Sequence, residues 1–240
     1  MVIDRPSAPA IGAPKVSLHP MRPLPTGFVP PALPTRAKEP PGGSDWWHEI
    51  KHNGIRVIAR KTDGRIKLYS RPGNDLTHRF PLIVDALAQL RARTCILDGE
   101  AVACGEDGIA LFELVRHWRN GEAAFLFAFD VIELNGDDLR AQPLERRKAT
   151  LARLLSRSTE GIQINEHLEH DDGGLVFEHA CRLGLEGIVS KRKGSLYRSG
   201  RTADWMKAKN PKAPAVTRVL EEDWNGRRSI TPPHPPERRK

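Results

Sequence analysis

"HEIKHNGIR", residues 48–56, sets a lysine two residues ahead of an Asn-Gly pair, between two strand-like runs. Lys51 is either a solvated charge at a strand end, the usual fate of a lysine, or an amine held at a bend for chemistry. The stretch alone does not choose, so the reading has to be built from what flanks it.

Downstream, "IRVIARKTDGRIKLYSR" (55–71) predicts a hairpin with Asp63-Gly64 in its turn. "PLIVDALAQLRA" (81–92) has helical spacing with a proline at its start. "CILDGEAVACGEDG" (95–108) reads as a strand ending at a turn, and "AFLFAFDVIELNG" (124–136) as a buried strand stopped by Asn135-Gly136. "LERRKATLARLLSR" (144–157) predicts an amphipathic helix with its basic residues on the outer face. "GIQINEHLE" predicts a strand, "GLVFEHACRLGL" a helix ended near Gly184, and "EGIVSKRKG" and "DWMKAKN" a last strand pair. Hairpins mixed with helices, without regular βαβ alternation, predict an α+β domain.

Proline and charge mark its limits. Of the twenty prolines, eleven fall in residues 1–43 and six in 211–240, so the ends are expected to be tails and the middle a folded unit. The expected organisation is a disordered Pro-rich basic arm over 1–44, a domain over 45–212 and a Pro/Arg-rich tail over 213–240. The net charge of +8 lies mostly in those tails, which points to a polyanionic partner reached through flexible basic chain. A second basic stretch, "SKRKGSLYRSGRTADWMKAKN" (190–210), interleaves Tyr197 and Trp205 and suits a phosphate backbone or a triphosphate. Cys95, Cys104 and Cys181 are too widely spaced for a zinc site or a disulfide framework. With neither an apolar signal core nor a run of about 18 apolar residues, the expectation is a cytoplasmic protein with no membrane partner.

Six short pieces then fall in order: "EIKHNG" (49–54), "SRPGND" (70–75), "LDGE" (97–100), "FDVIELNG" (129–136), "EGIVSK" (186–191) and "WMKAK" (205–209). One Lys-x-x-Gly has no weight, but the ordered series resembles the adenylation domain of ATP-dependent DNA ligases, especially bacterial end-joining ones, over residues 46–210. The resemblance implies an ATP-grasp-like nucleotidyltransferase fold of mostly antiparallel sheets flanked by helices. It implies a lysyl-AMP intermediate, ATP with Mg²⁺ (or Mn²⁺) as cofactors, and nicked or broken DNA as the partner in repair and recombination. A lysine amine attacks the α-phosphate, pyrophosphate leaves, and charge develops on phosphate oxygens that cations must meet.

By position in the motifs, Lys51 would be the nucleophile. Glu49 and the backbone of Ile50 would read adenine, with Phe129 stacking on it, although Phe129 would serve equally as plain core. Arg56 and Arg71 would contact ribose and phosphate, and Glu100 the ribose hydroxyl. Glu186 would be the metal-associated glutamate and Lys191 the motif lysine, with Lys207 and Lys209 paired on the α-phosphate. Alternate residues of a strand share a face, which suits two converging cations.

Two departures qualify the resemblance. The family motif is Lys-x-Asp-Gly, and here Asn53 takes the third place, keeping size but losing charge. The expected result is reduced activity. Ligases of the family also carry an oligonucleotide-binding (OB) barrel after the last lysine motif. About thirty residues follow Asn210, too few for that barrel, so the expectation is a catalytic core whose DNA clamp comes from a partner protein. Two other readings stand beside this one: a degenerate domain that binds nucleotide or DNA ends without chemistry, and a ligase of RNA ends.

Overall fold

The computed structural model describes residues 27–106, 108–116, 123–157 and 160–213. Eleven strands and four α-helices follow one another along these residues. The strands are β1 (Ala32–Arg36), β2 (Trp46–Ile50), β3 (Ile55–Thr62), β4 (Arg65–Ser70), β5 (Thr94–Val102), β6 (Phe125–Leu134), β7 (Asp137–Asp138), β8 (Ile162–Ile164), β9 (His167–Glu169), β10 (Gly187–Arg192) and β11 (Gly200–Lys209). The helices are α1 (Pro81–Gln89), α2 (Phe112–Arg116), α3 (Leu144–Leu155) and α4 (Gly173–Arg182).

They build two sheets. One runs β1-β11-β10-β2-β9, the other β4-β3-β5-β6-β7 with β8 added beside β6. All neighbours are antiparallel except β1–β11 and β6–β8. Alternation along β3 shows how the layers form: Val57 and Ala59 face α1 and α3, while Ile58 faces the other sheet. Between the sheets, Ile58, Ile96, Phe129 and Ile132 meet Ala32, Tyr197 and Trp205. On the outer side of the first sheet, Ala180 of α4 covers Ile188 and Ala208. The order of layers is helices, sheet, sheet, helix, the α+β architecture expected.

Turn chemistry sets the hairpins. Asp63 and Gly64 both take positive φ (46° and 82°), as do Asn135 and Gly136 (51° and 95°), the mirror-image turn that matches strand twist. Pro81 opens α1 at its first turn, where no N–H is needed, and the Asp172 side chain caps α4 by accepting from the Leu175 amide.

Two expectations are corrected. Residues 32–36, inside the stretch read as a disordered arm, form β1 and pair in parallel with β11. Pro34 is compatible with this because β1 is an edge strand. The rest of the arm before residue 27 and the tail beyond 213 lie outside the described residues. The basic residues of α3 are not all on an outer face: Arg147 and Lys148 are buried, 1% and 3% exposed. Arg147 pairs bidentately with Asp130 and also donates to the carbonyls of Gln142 and Ser195. Lys148 reaches Glu49.

Candidate nucleotide site

Lys51 follows directly on β2 and precedes the bend that turns the chain from one sheet into the other. Two backbone contacts fix that bend. The Lys51 amide donates to the Gly187 carbonyl at the start of β10. Gly54 passes so close to β5 that a Cβ there would lie 2.2 Å from the Ala101 carbonyl oxygen, so only glycine fits. The amine leaves this bend toward Glu186 with its side chain 21% exposed, so it is an ion-paired rather than a free solvated charge.

There Lys51 Nζ lies 2.5 Å from Glu186 Oε2, and Lys209 Nζ lies 3.0 Å from Glu186 Oε1. Glu186 is nearly buried and precedes Gly187, whose φ of 141° and close approach to the Ala208 carbonyl again demand glycine. Lys207, one pleat along β11 on the Lys209 face, is less basic than a free lysine. Burial is the main cause, with the positive charges of Lys51, Lys209, Arg201 and Arg71 adding to it.

A cleft runs inward from Lys51, lined by Glu49, Ile50, Arg56, Glu100, Phe129 and Lys191 among others. At its inner end Glu49, 2% exposed, is held by Lys148 on one oxygen and Lys191 on the other, each at 2.8 Å. Burial alone would raise the Glu49 carboxyl, but Lys148 and then Lys191 bring it below its ordinary value. Burial lowers the Lys191 ammonium to about 8 against the pull of Glu49. Lys191 Nζ also sits 4.6 Å from the Phe129 ring centre and 4.2 Å from that of Trp205. Phe129 is both things at once, a member of the core between the sheets and a wall of the cleft.

Arg56 makes a fork on buried Asp98 (2.6 and 2.8 Å), with Tyr197 donating to the same carboxylate, and its guanidinium lies over the Phe129 face. Glu100 is pushed up to about 7 by burial, with the Glu186 and Asp98 carboxylates adding to it and Lys51 and Arg56 opposing. Its protonated form is therefore favoured in the fold, so its contribution to stability is whole below pH 4.5 and lost as pH rises through about 7. Glu100→Gln is accordingly expected to be more stable than the parent at pH 8 and no more stable at pH 4.5, in melting curves recorded side by side. Equal differences at both pH values would refute it.

Of the residues picked out from sequence, Lys51, Glu49, Ile50, Arg56, Glu100, Phe129 and Lys191 line one cleft, and Glu186, Lys207 and Lys209 gather at its Lys51 end. Arg71 stays exposed and outside the lining. Sequence reasoning missed Lys148, Asp98, Asn165 and His52. Asn165 Nδ2 donates to Glu49 Oε2 and to the Ile50 carbonyl, both at 3.2 Å, and His52, stacked on Phe127, lies 2.9 Å from Asn165 Oδ1. Among the described residues no group of three or more His, Cys, Asp or Glu could hold a metal ion, and the three cysteines are free. No described helix is long and apolar enough to cross a membrane.

Two packed, mostly antiparallel sheets with a lysine at the bend between them define the nucleotidyltransferase class of fold. The chain belongs to the ATP-dependent DNA ligase domain family, whose model matches residues 35–209. It is 38% identical over 186 residues to the multifunctional non-homologous end joining protein LigD of Pseudomonas aeruginosa, over 76% of this chain and 22% of that protein. It is 33% identical over 188 residues to the SPbeta prophage-derived DNA ligase-like protein LigB of Bacillus subtilis, over 76% of this chain and 68% of LigB. A solved structure of a mycobacterial DNA ligase D complexed with ATP and MES superimposes with a TM-score of 0.65 at 29% identity, over 75% of this chain and 59% of that one. The chain thus spans about a fifth of the length of that LigD.

Proposed function

We propose that the chain is an ATP-dependent adenylyltransferase of the DNA ligase type, forming lysyl-AMP on Lys51 for transfer to nicked or broken DNA ends in repair and recombination. The observation that carries the reading is the ion-paired chain Lys51–Glu186–Lys209 at the end of a cleft lined by Glu49, Ile50, Phe129 and Lys191. At the inner end, a donor (Lys191) stands beside acceptors (Glu49 and the Ile50 carbonyl). That order complements the adenine edge, where N1 accepts and the 6-amino group donates, and opposes that of guanine. Phe129 supplies a flat wall for the base, and Glu100 and Arg56 stand where the ribose would pass. Lys207 and Lys209 would meet the phosphates, and Arg71, exposed outside the lining, adds its charge near Lys207.

For attack, the Lys51 ammonium gives up a proton, and Glu186 is the carboxylate in contact to take it. The nitrogen then bonds to the α-phosphorus as the bond to pyrophosphate breaks. A divalent ion carried in by the nucleotide, Mg²⁺ (or Mn²⁺), would be held mainly by phosphate oxygens and water, with Glu186 adding a carboxylate oxygen only in place of one of its two lysines. Bound there, the ion would neutralise charge on the phosphates. DNA is the proposed partner, in keeping with the DNA ligase domain family to which the chain belongs.

Incubation with α-labelled ATP and Mg²⁺ is expected to leave a denaturation-resistant label that maps by mass spectrometry to Lys51. No label at any pH or with either metal would overturn the reading. One observation favours the alternative of a binding domain without transfer: Asn53, which stands beside Lys51 and Glu186 around a second pocket, lacks the charge of the family motif. In that case ATP or DNA binds without labelling.

A further inference from the structure

We infer that Asn165 is a positioning residue that keeps the base-reading edge of the cleft rich in acceptors and ties it to the backbone around Lys51. The inference rests on the nucleotide-site reading above and adds a residue that no motif contains.

Asn165 lies between the short strands β8 and β9 and is 5% exposed. Its side chain reaches three groups on both sides of Lys51: the Glu49 carboxylate, the Ile50 carbonyl and the His52 ring. The chemistry allows one orientation of the amide. Glu49 Oε2 and the Ile50 oxygen both accept, so the NH₂ must face them and spend its two hydrogens there. The Oδ1 is then left to accept, so His52 carries its proton on Nε2. That ring cannot swing away, because it is stacked on Phe127 at 3.9 Å with 9° between planes.

The backbone of Asn165 is fixed as well. Its amide donates to the Ala128 carbonyl of β6, and its own carbonyl accepts from buried Lys148, the lysine that holds the other oxygen of Glu49. One residue thus joins β6 through its backbone and β2 and the residue after Lys51 through its side chain. Glu49 Oε2 already takes Lys191 beside Asn165, whereas the Ile50 carbonyl keeps a lone pair for a second donor. Base recognition and the backbone around Lys51 share this amide, so an incoming ring that donates to the Ile50 carbonyl completes the network. A ring presenting a carbonyl there meets only acceptors.

The test is the affinity for ATP against inosine triphosphate, which replaces the amino group by a carbonyl and N1 by N1–H. Asn165→Ala is expected to reduce the ATP preference about tenfold, the usual cost of losing a hydrogen bond to a charged group. Affinity for inorganic tripolyphosphate should stay unchanged. If Asn165→Ala fails to fold, Asn165→Asp decides, because it keeps the shape and the acceptor for His52 but turns an oxygen toward Glu49; it should lose the preference at least as fully. His52→Phe, which keeps the stack but not the donor, should lose part of it. A variant that melts lower with the ATP preference intact overturns the inference and makes Asn165 merely structural. No ATP binding by the unsubstituted chain overturns the nucleotide-site reading, and this inference with it.

Discussion

Arg147→Ala is expected to cost about 3–5 kcal/mol of stability, the range seen when one member of a buried ion pair is removed and the other stays behind uncompensated. Both Arg147 and Asp130 are fully buried, and the guanidinium also satisfies the carbonyls of Gln142 and Ser195. Truncation therefore leaves the buried Asp130 carboxylate without its counter-charge and takes a donor from the carbonyls of Gln142 and Ser195. The loss should appear in urea unfolding as a lower midpoint at unchanged slope. Replacing both charges together, as Arg147→Met with Asp130→Leu, is expected to recover much of it, because the desolvation penalty of the charges disappears with them. A single variant within about 1 kcal/mol of the parent would show that the pair does not behave as buried.

The same pair shows where sequence reading stops. Helical spacing over 144–157 correctly gives α3, but Arg147 and Lys148 look like any solvated basic face, because their partners lie elsewhere in the chain. Asp130 invites assignment to the nucleotide site through its neighbour Phe129, yet its carboxylate serves α3. What could be read was local or repeated. Asp63-Gly64 and Asn135-Gly136 fix hairpins by their own backbone preferences, and the ordered motifs place ten of the eleven chosen residues around one cleft. Asn165 carries no such signal: a single amide between two three-residue strands follows no period and belongs to no charge pattern. The strand β1 was hidden for the opposite reason, since proline-rich sequence reads as linker even where an edge strand tolerates it.

Glu186→Gln is expected to slow self-labelling by about a hundredfold, the low end of what a positioned general base supplies. Lys51→Ala should abolish labelling altogether. Each oxygen of Glu186 has its own lysine, Lys51 on one side and Lys209 on the other. An amide offers one acceptor and one NH₂, so whichever way it turns, one ammonium faces a donor and swings away. If Lys51 is displaced, the amine loses its aim and its proton acceptor. If Lys209 is displaced, a phosphate-facing cation is lost. ATP affinity should fall much less, because Glu49, Lys191 and Phe129 at the inner end of the cleft are left untouched. A split of this kind, large in rate and small in binding, is the mark of an interaction made at the reacting end. Were labelling by Glu186→Gln to stay within about threefold of the parent, the proton would have another acceptor and the ion pair would be a resting contact only.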